Sequence, residues 1–199
     1  MIKAIFFDFF EVITYGDFGD VYQNFADRVD ISVDTVSEYH AKNLGGLLTG
    51  SVTSHDMLTA FKLEGHMNVE EMLTVWAEET QKLMSADPDM ISLLVKLKEN
   101  YILGALTNLT EQRFGGDIQM GLYDYFDFNV LSFKVGMKKP DKRFYETALR
   151  LAECQPEETV FIDDQVQNTD AAAALGIHSI QYTDTKLLTK QLQDLDIKV

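Results

Sequence analysis

The chain opens on an apolar run, Ile2-Lys3-Ala4-Ile5-Phe6-Phe7, too short for a helix and suited to a buried strand. Asp8 closes that run, a lone carboxylate with Phe9 and Phe10 behind it. Val160-Phe161-Ile162-Asp163-Asp164 repeats the device late in the chain. A buried charge costs several kcal/mol unless it is paired or bound to a metal, so packing does not explain these acids. From Pro88 onward, strand and helix patterns alternate. Asp87-Pro88 reads as N-cap and first helical residue of a helix carrying Met90, Leu93, Leu94 and Leu97 on one face. Residues 101–106 predict a buried strand ending in Thr107-Asn108, followed by a helix over 110–120 and a strand over 128–132. A helix over 140–151, with Phe144, Ala148 and Leu151 at helical spacing, leads to a strand over 159–162. A helix over 168–175 stopped by Gly176, a strand over 178–182 and a helix over 185–195 complete the pattern. Such alternation predicts a parallel sheet with helices on both faces and ligands at the carboxyl ends of the strands.

Residues 14–86 break this rhythm. Phe18, Val21, Tyr22, Phe25 and Val29 mark one helix, and Val33, Val36, Tyr39 and His40 mark another. Thr53-Ser54-His55-Asp56 and Asn68-Val69-Glu70-Glu71 read as capping sequences for two more. Helices with no strand between them predict a separate lobe over residues 14–86, inserted into a core of 1–13 and 87–199. No internal repeat, low-complexity tract or flexible linker interrupts the chain.

With 199 residues the chain can bury one core plus a small accessory lobe. Its 46% hydrophobic and 25% charged residues are ordinary for a globular protein. No apolar stretch approaches the roughly 20 residues of a membrane span, and no signal peptide is read at the N-terminus. Cys154 is the single cysteine, so a reducing cytoplasm is the expected setting. A net charge of −15 argues against nucleic acid and anionic membranes as partners, while leaving room for a small phosphate ester held by a local cation.

Asp8, Thr107-Asn108, Lys139-Pro140-Asp141 and Asp163-Asp164 stand where successive strand or loop ends would converge. In this order and spacing the chain resembles the haloacid dehalogenase-like (HAD) hydrolase superfamily, most of whose members are magnesium-dependent phosphatases. The small helical cap between the first two motifs resembles that of its subfamily I. The runs Val135-Gly136-Met137-Lys138-Lys139-Pro140-Asp141 and Ile162-Asp163-Asp164-Gln165-Val166-Gln167-Asn168 are similar to those of sugar-phosphate phosphatases and epoxide-hydrolase N-terminal domains. The resemblance implies an α/β fold, a Rossmann-like parallel sheet plus an inserted helical cap. It makes Asp8 the nucleophile, Thr107 and the Asn108 backbone amide the phosphoryl donors, and Lys139 the lysine that positions the nucleophile. It also implies that Asp8, Asp164 and the main-chain carbonyl of Phe10 hold Mg2+, and that the partner is a small phosphorylated metabolite.

Position 10 departs from the family, most of whose phosphatases carry a second aspartate there to protonate the leaving group. General acid–base assistance is worth about 10²–10⁴ in rate. A good leaving group would need less of it, Glu11 or the cap residue His40 could substitute, or the site could bind without turnover. Dehalogenases of the superfamily carry tyrosine at this place and need a cationic halide binder, for which Arg28 is the cap's sole arginine. The paired acids Asp163-Asp164 favour a metal, which places dehalogenase below phosphatase. Asp163 is read as the helix-capping member of that pair, Trp76 as cap core, and His55, His66, His178 and Cys154 as structural.

Overall fold

The computed structural model describes residues 1–61, 67–119 and 121–199. Strand β1 (Ala4–Phe7) leads through the short β2 (Thr14–Tyr15) into helices α1 (Phe18–Val29), α2 (Val33–Thr49), α3 (Ser54–Phe61) and α4 (Val69–Leu83). The chain returns through β3 (Ser85–Ala86) and α5 (Pro88–Lys98) to β4 (Ile102–Thr107), α6 (Glu111–Gln119) and β5 (Phe128–Leu131). It ends with α7 (Ser132–Val135), α8 (Lys142–Ala152), β6 (Thr159–Asp163), α9 (Val166–Ala173), β7 (His178–Gln181) and α10 (Thr185–Asp194).

The five long strands form one parallel sheet in the order β5-β4-β1-β6-β7. Side chains alternate across it with the period of two that a strand imposes. Ile5, Phe7, Leu103, Ala105, Val160 and Ile162 meet Met90, Leu93, Leu94 and Leu97 of α5 and Leu188 and Leu192 of α10. Ala4, Phe6, Leu106, Val130 and Phe161 meet Phe144, Tyr145, Ala148 and Leu149 of α8 and Ala172 of α9 on the other face. Both faces are covered, so the strands read as unbroken apolar runs. Gly104 is required here, because a Cβ would stand 2.5 Å from the Phe128 ring.

Helices α1–α4 bury their own cluster, built on Val21, Phe25, Val36, Leu47, Leu58, Met72 and Trp76. Asn68 and Glu71 close a reciprocal capping box on α4, and Thr53 and Asp56 exchange the same bonds at α3. The lobe joins the sheet domain through antiparallel β2 and β3, Thr14 opposite Ala86. It also rests on α7 at Gly50, whose φ is +69° and where a Cβ would meet the Phe133 carbonyl oxygen at 2.2 Å. Among the described residues no helix is long and apolar enough to cross a membrane.

Some boundaries and faces differ from the sequence reading. Leu151 is 52% exposed; the buried stripe of α8 runs along Phe144, Tyr145, Ala148, Leu149 and Ala152, one step around the helix. Helix α9 begins at Val166, two residues earlier than the pattern suggests. Gly176, at φ +91°, caps its end as expected, with the Ile177 N–H donating to the Ala172 carbonyl at 3.3 Å and the Gly176 N–H to the Ala173 carbonyl at 2.9 Å. The β2–β3 pair carried no pattern long enough to read. His66 and Met120 lie outside the described residues.

Candidate active site

The chain crosses from β5 on one side of β1 to β6 on the other, and that reversal opens the crevice at the carboxyl ends of the strands. Register sets Phe7 beside Ala105 and Ile162. The Asp8 N–H donates to the Ile162 carbonyl at 2.8 Å, which carries the pairing one residue further and lays Asp8 alongside Asp163. Lys139, on the loop before α8, inserts between them. Its Nζ is 2.7 Å from Asp8 Oδ1 and 2.6 Å from Asp163 Oδ2. Lys139 and Asp163 are almost wholly buried and Asp8 is 6% exposed, so these are desolvated charges held by one another.

Asp163 is fully engaged. Besides Lys139 it accepts from Asn168 Nδ2 at 3.0 and 3.1 Å and from the Gln165 N–H at 2.9 Å, at the start of α9. Asp164 is not. It is half-buried, and its Oδ1 is shut off from solvent with no hydrogen-bond partner. One carboxylate oxygen each from Asp8, Asp163 and Asp164 lie within 4.8 Å of one another. Burial pushes the Asp8 carboxyl up to about 6, against the pull of Lys139 and with a further push from Asp163. Burial and then the Asp163 charge raise Asp164 as well. One ammonium faces three carboxylates, and an orphaned buried oxygen completes a hard, oxygen-rich donor set that fits a divalent ion such as magnesium. Among the described residues no backbone N–H donates to the Phe10 carbonyl, two residues after Asp8.

Thr107 ends β4, buried on the neighbouring strand. Asn108 does more than its sequence role suggested. Its side-chain amide donates to the Lys139 carbonyl at 3.0 Å and accepts the Lys139 N–H at 2.8 Å, clamping the lysine's loop. Asp141 sits outside the cluster as the N-cap of α8, accepting the Arg143 N–H.

Other candidates lie elsewhere. Arg28 pairs with Glu78 and Glu79 of α4 at 2.7 Å each, which commits the guanidinium to the cap. His40 Nδ1 lies 2.8 Å from the Tyr22 hydroxyl, and its ring stacks on Trp76. Burial lowers its pKa, as suits a neutral core imidazole. Glu11 is exposed, in a left-handed turn at φ +62°. The Phe10 ring is instead covered by Arg113 of α6, whose guanidinium carbon is 4.2 Å from the ring centroid and 5.3 Å from that of Phe18. Neither Arg113 nor Asn168 was singled out from sequence. Arg113 reaches Thr14 across 99 residues, which a local pattern does not register, whereas Asn168 reaches back only five residues to Asp163, through a turn whose shape the pattern does not show.

The family described as "Haloacid dehalogenase-like hydrolase" matches residues 25–182, a stretch beginning after Asp8. A glyceraldehyde 3-phosphate phosphatase of Methanothermobacter thermautotrophicus is 26% identical over 100% of this chain and 95% of its own length. A sesquiterpene phosphatase of Aspergillus oryzae is 33% identical over 59% of this chain, a match spanning 61% of that relative. Among solved structures, a HAD family enzyme of Bacteroides thetaiotaomicron, in complex with magnesium and inorganic phosphate, superposes with a TM-score of 0.77. It is 20% identical and covers 92% of this chain and 95% of its own, a likeness of fold.

Proposed function

The chain belongs to the haloacid dehalogenase-like hydrolase family, and from that premise we propose that it is a magnesium-dependent phosphomonoesterase acting on a small soluble metabolite through Asp8. The observation that carries this reading is the buried constellation of Asp8, Lys139, Asp163 and Asp164, with the Asp164 oxygen left unpartnered. Bound by Asp8, Asp164 and the Phe10 carbonyl, magnesium would supply charge neutralisation for an anionic phosphoryl group. The division into a catalytic core of residues 1–13 and 87–199 and a cap of 14–86 is part of the same proposal.

Lys139 holds Asp8 in place and offsets its charge, so that one carboxylate oxygen can attack phosphorus. Thr107 and the Asn108 backbone N–H donate to the phosphoryl oxygens. The bond from phosphorus to the ester oxygen breaks, and that oxygen leaves with the electron pair. Water then attacks phosphorus in the aspartyl-phosphate, releasing inorganic phosphate and restoring Asp8. The Phe10 ring has no proton to give, so the leaving oxygen departs as an anion and is protonated by solvent. This favours anomeric and acyl phosphates over simple alkyl esters. The likeness to a glyceraldehyde 3-phosphate phosphatase supports a small phosphorylated substrate.

Phosphate release over a panel of phosphate esters tests the reading. Turnover that needs magnesium and vanishes in Asp8→Asn is the expected result. Position 10 also favours a second reading, a catalytically weak phosphate-binding module, which predicts no turnover on any ester while vanadate or phosphate still binds. Halide release insensitive to a chelator would instead revive a dehalogenase, whose cationic binder Arg28 does not supply, being committed to Glu78 and Glu79.

A further inference from the structure

We infer that Arg113 is a positioning residue for the cation site, holding the turn from Phe9 to Thr14 so that the Phe10 carbonyl is presented next to Asp8. The inference rests on the proposed magnesium site and concerns how its main-chain ligand is fixed. The turn is internally bonded: the N–H groups of Ile13 and Thr14 both donate to the Phe9 carbonyl at 2.9 Å, and the Glu11 N–H donates to the Thr14 carbonyl at 2.8 Å. At its apex Glu11 adopts φ +62°, a left-handed conformation that a residue with a Cβ enters reluctantly. The direction of the Phe10 carbonyl is set by the torsions on either side of the Phe10–Glu11 peptide. Any relaxation of Glu11 therefore swings that oxygen away.

Arg113 grips the turn on both sides of that peptide. Its guanidinium lies 4.2 Å from the Phe10 ring centroid, and its Nη2 donates to the Thr14 hydroxyl at 3.1 Å. Thr14 is fully buried and Arg113 is 7% exposed, so both contacts are made away from water, where a cation–π contact and a charged hydrogen bond are strongest. Phe18, the first residue of α1, closes the stack, its ring 5.3 Å from that of Phe10. The phenylalanine at position 10 thus provides a face for the guanidinium. Partners that orient a metal's ligands commonly govern affinity by about 10–100-fold.

Isothermal titration with magnesium chloride, together with melting curves with and without the ion, tests the assignment on wild type, Arg113→Met, Arg113→Lys and Phe10→Leu. Arg113→Met is expected to raise the magnesium dissociation constant by about tenfold or more. Arg113→Lys, which keeps a cation over the ring, is expected to recover part of the loss. Phe10→Leu keeps the carbonyl and loses the aromatic face, so it is expected to weaken binding in the same direction. It also serves if Arg113→Met does not fold. A folded Arg113→Met or Phe10→Leu protein that binds magnesium within about twofold of wild type would overturn the inference and leave the proposed site standing. A wild type that binds no magnesium would overturn both.

Discussion

Two charge clusters are built on ion pairs of nearly the same length, and they do opposite things. In the cap, Arg28 meets Glu78 and Glu79 at 2.7 Å, and Lys82 meets Glu79 at 2.7 Å. Two cations face two carboxylates, and the Arg28 and Lys82 side chains are 40% and 61% exposed. In the core, Lys139 lies 2.6–2.7 Å from Asp163 and Asp8, in a site nearly closed to water, with Asp164 alongside. Distance does not separate them. Charge balance and burial do: the cap cluster is complete as it stands, and the core cluster carries excess negative charge that water does not screen. A balanced cluster whose cations face solvent holds helices together, even with Glu79 buried within it, while an unbalanced, dry one fits a cation.

The largest expected break in this contrast comes from the core lysine. Lys139→Met should destabilise the metal-free protein by about 3–5 kcal/mol, since it strands buried carboxylates. Urea unfolding in the presence of a chelator measures this, and a loss below about 1 kcal/mol would contradict the account. The matching cap change, Arg28→Met, should leave the melting temperature close to that of wild type, because Lys82 still pairs with the buried Glu79 at 2.7 Å and the exposed Arg28–Glu78 pair contributes little.

The pH dependence sharpens the contrast. The folded-state value of Asp8, about 6, lies above the ordinary 3.8, so the folded protein binds this proton more tightly than the unfolded chain does. Its contribution to metal-free stability is complete below about 3.8 and is lost as pH rises through about 6. A magnesium ion held by the carboxylate would reverse that loss, so the rise in melting temperature on adding it should be larger at neutral pH than at about pH 5. Equal rises at both would show that Asp8 is not a ligand.

Restoring the missing acid should have the smallest effect. An aspartate at position 10 would face the Arg113 guanidinium, now 4.2 Å from the Phe10 ring centroid, which would hold it ionised and spoil it as a proton donor. Phe10→Asp should therefore speed hydrolysis of alkyl phosphates by no more than about tenfold, short of the 10²–10⁴ that general acid catalysis can give. Rates on esters with good leaving groups should barely change. A gain in the full range would mean that Arg113 does not reach the new carboxylate.

What could be read from sequence followed how locally each feature is encoded. The strands ending in Asp8 and Asp163 announce themselves, because a short apolar run closed by a carboxylate is a contiguous signal. The parallel sheet, the cap helices and the capping boxes at Thr53 and Asn68 are periodic or local, and the structure contains them. The β2–β3 pair escaped notice because its strands are two residues each. The clamp of Asn108 on Lys139 joins residues 31 apart, and that of Arg113 on Thr14 joins residues 99 apart. No local pattern marks either pair, since their meeting depends on how β1, β4 and α6 pack. Leu151 misled for a related reason: a helical stripe has edges, and packing alone decides which edge is wet.

Crystals soaked in manganese, a magnesium surrogate with usable anomalous scattering, give the most direct test of the core cluster. The expected result is one strong anomalous peak about 2.1–2.2 Å from carboxylate oxygens of both Asp8 and Asp164, and from the Phe10 carbonyl. No peak between those two side chains at saturating ion, or a peak touching one carboxylate alone, would contradict the shared cation on which the proposed chemistry depends.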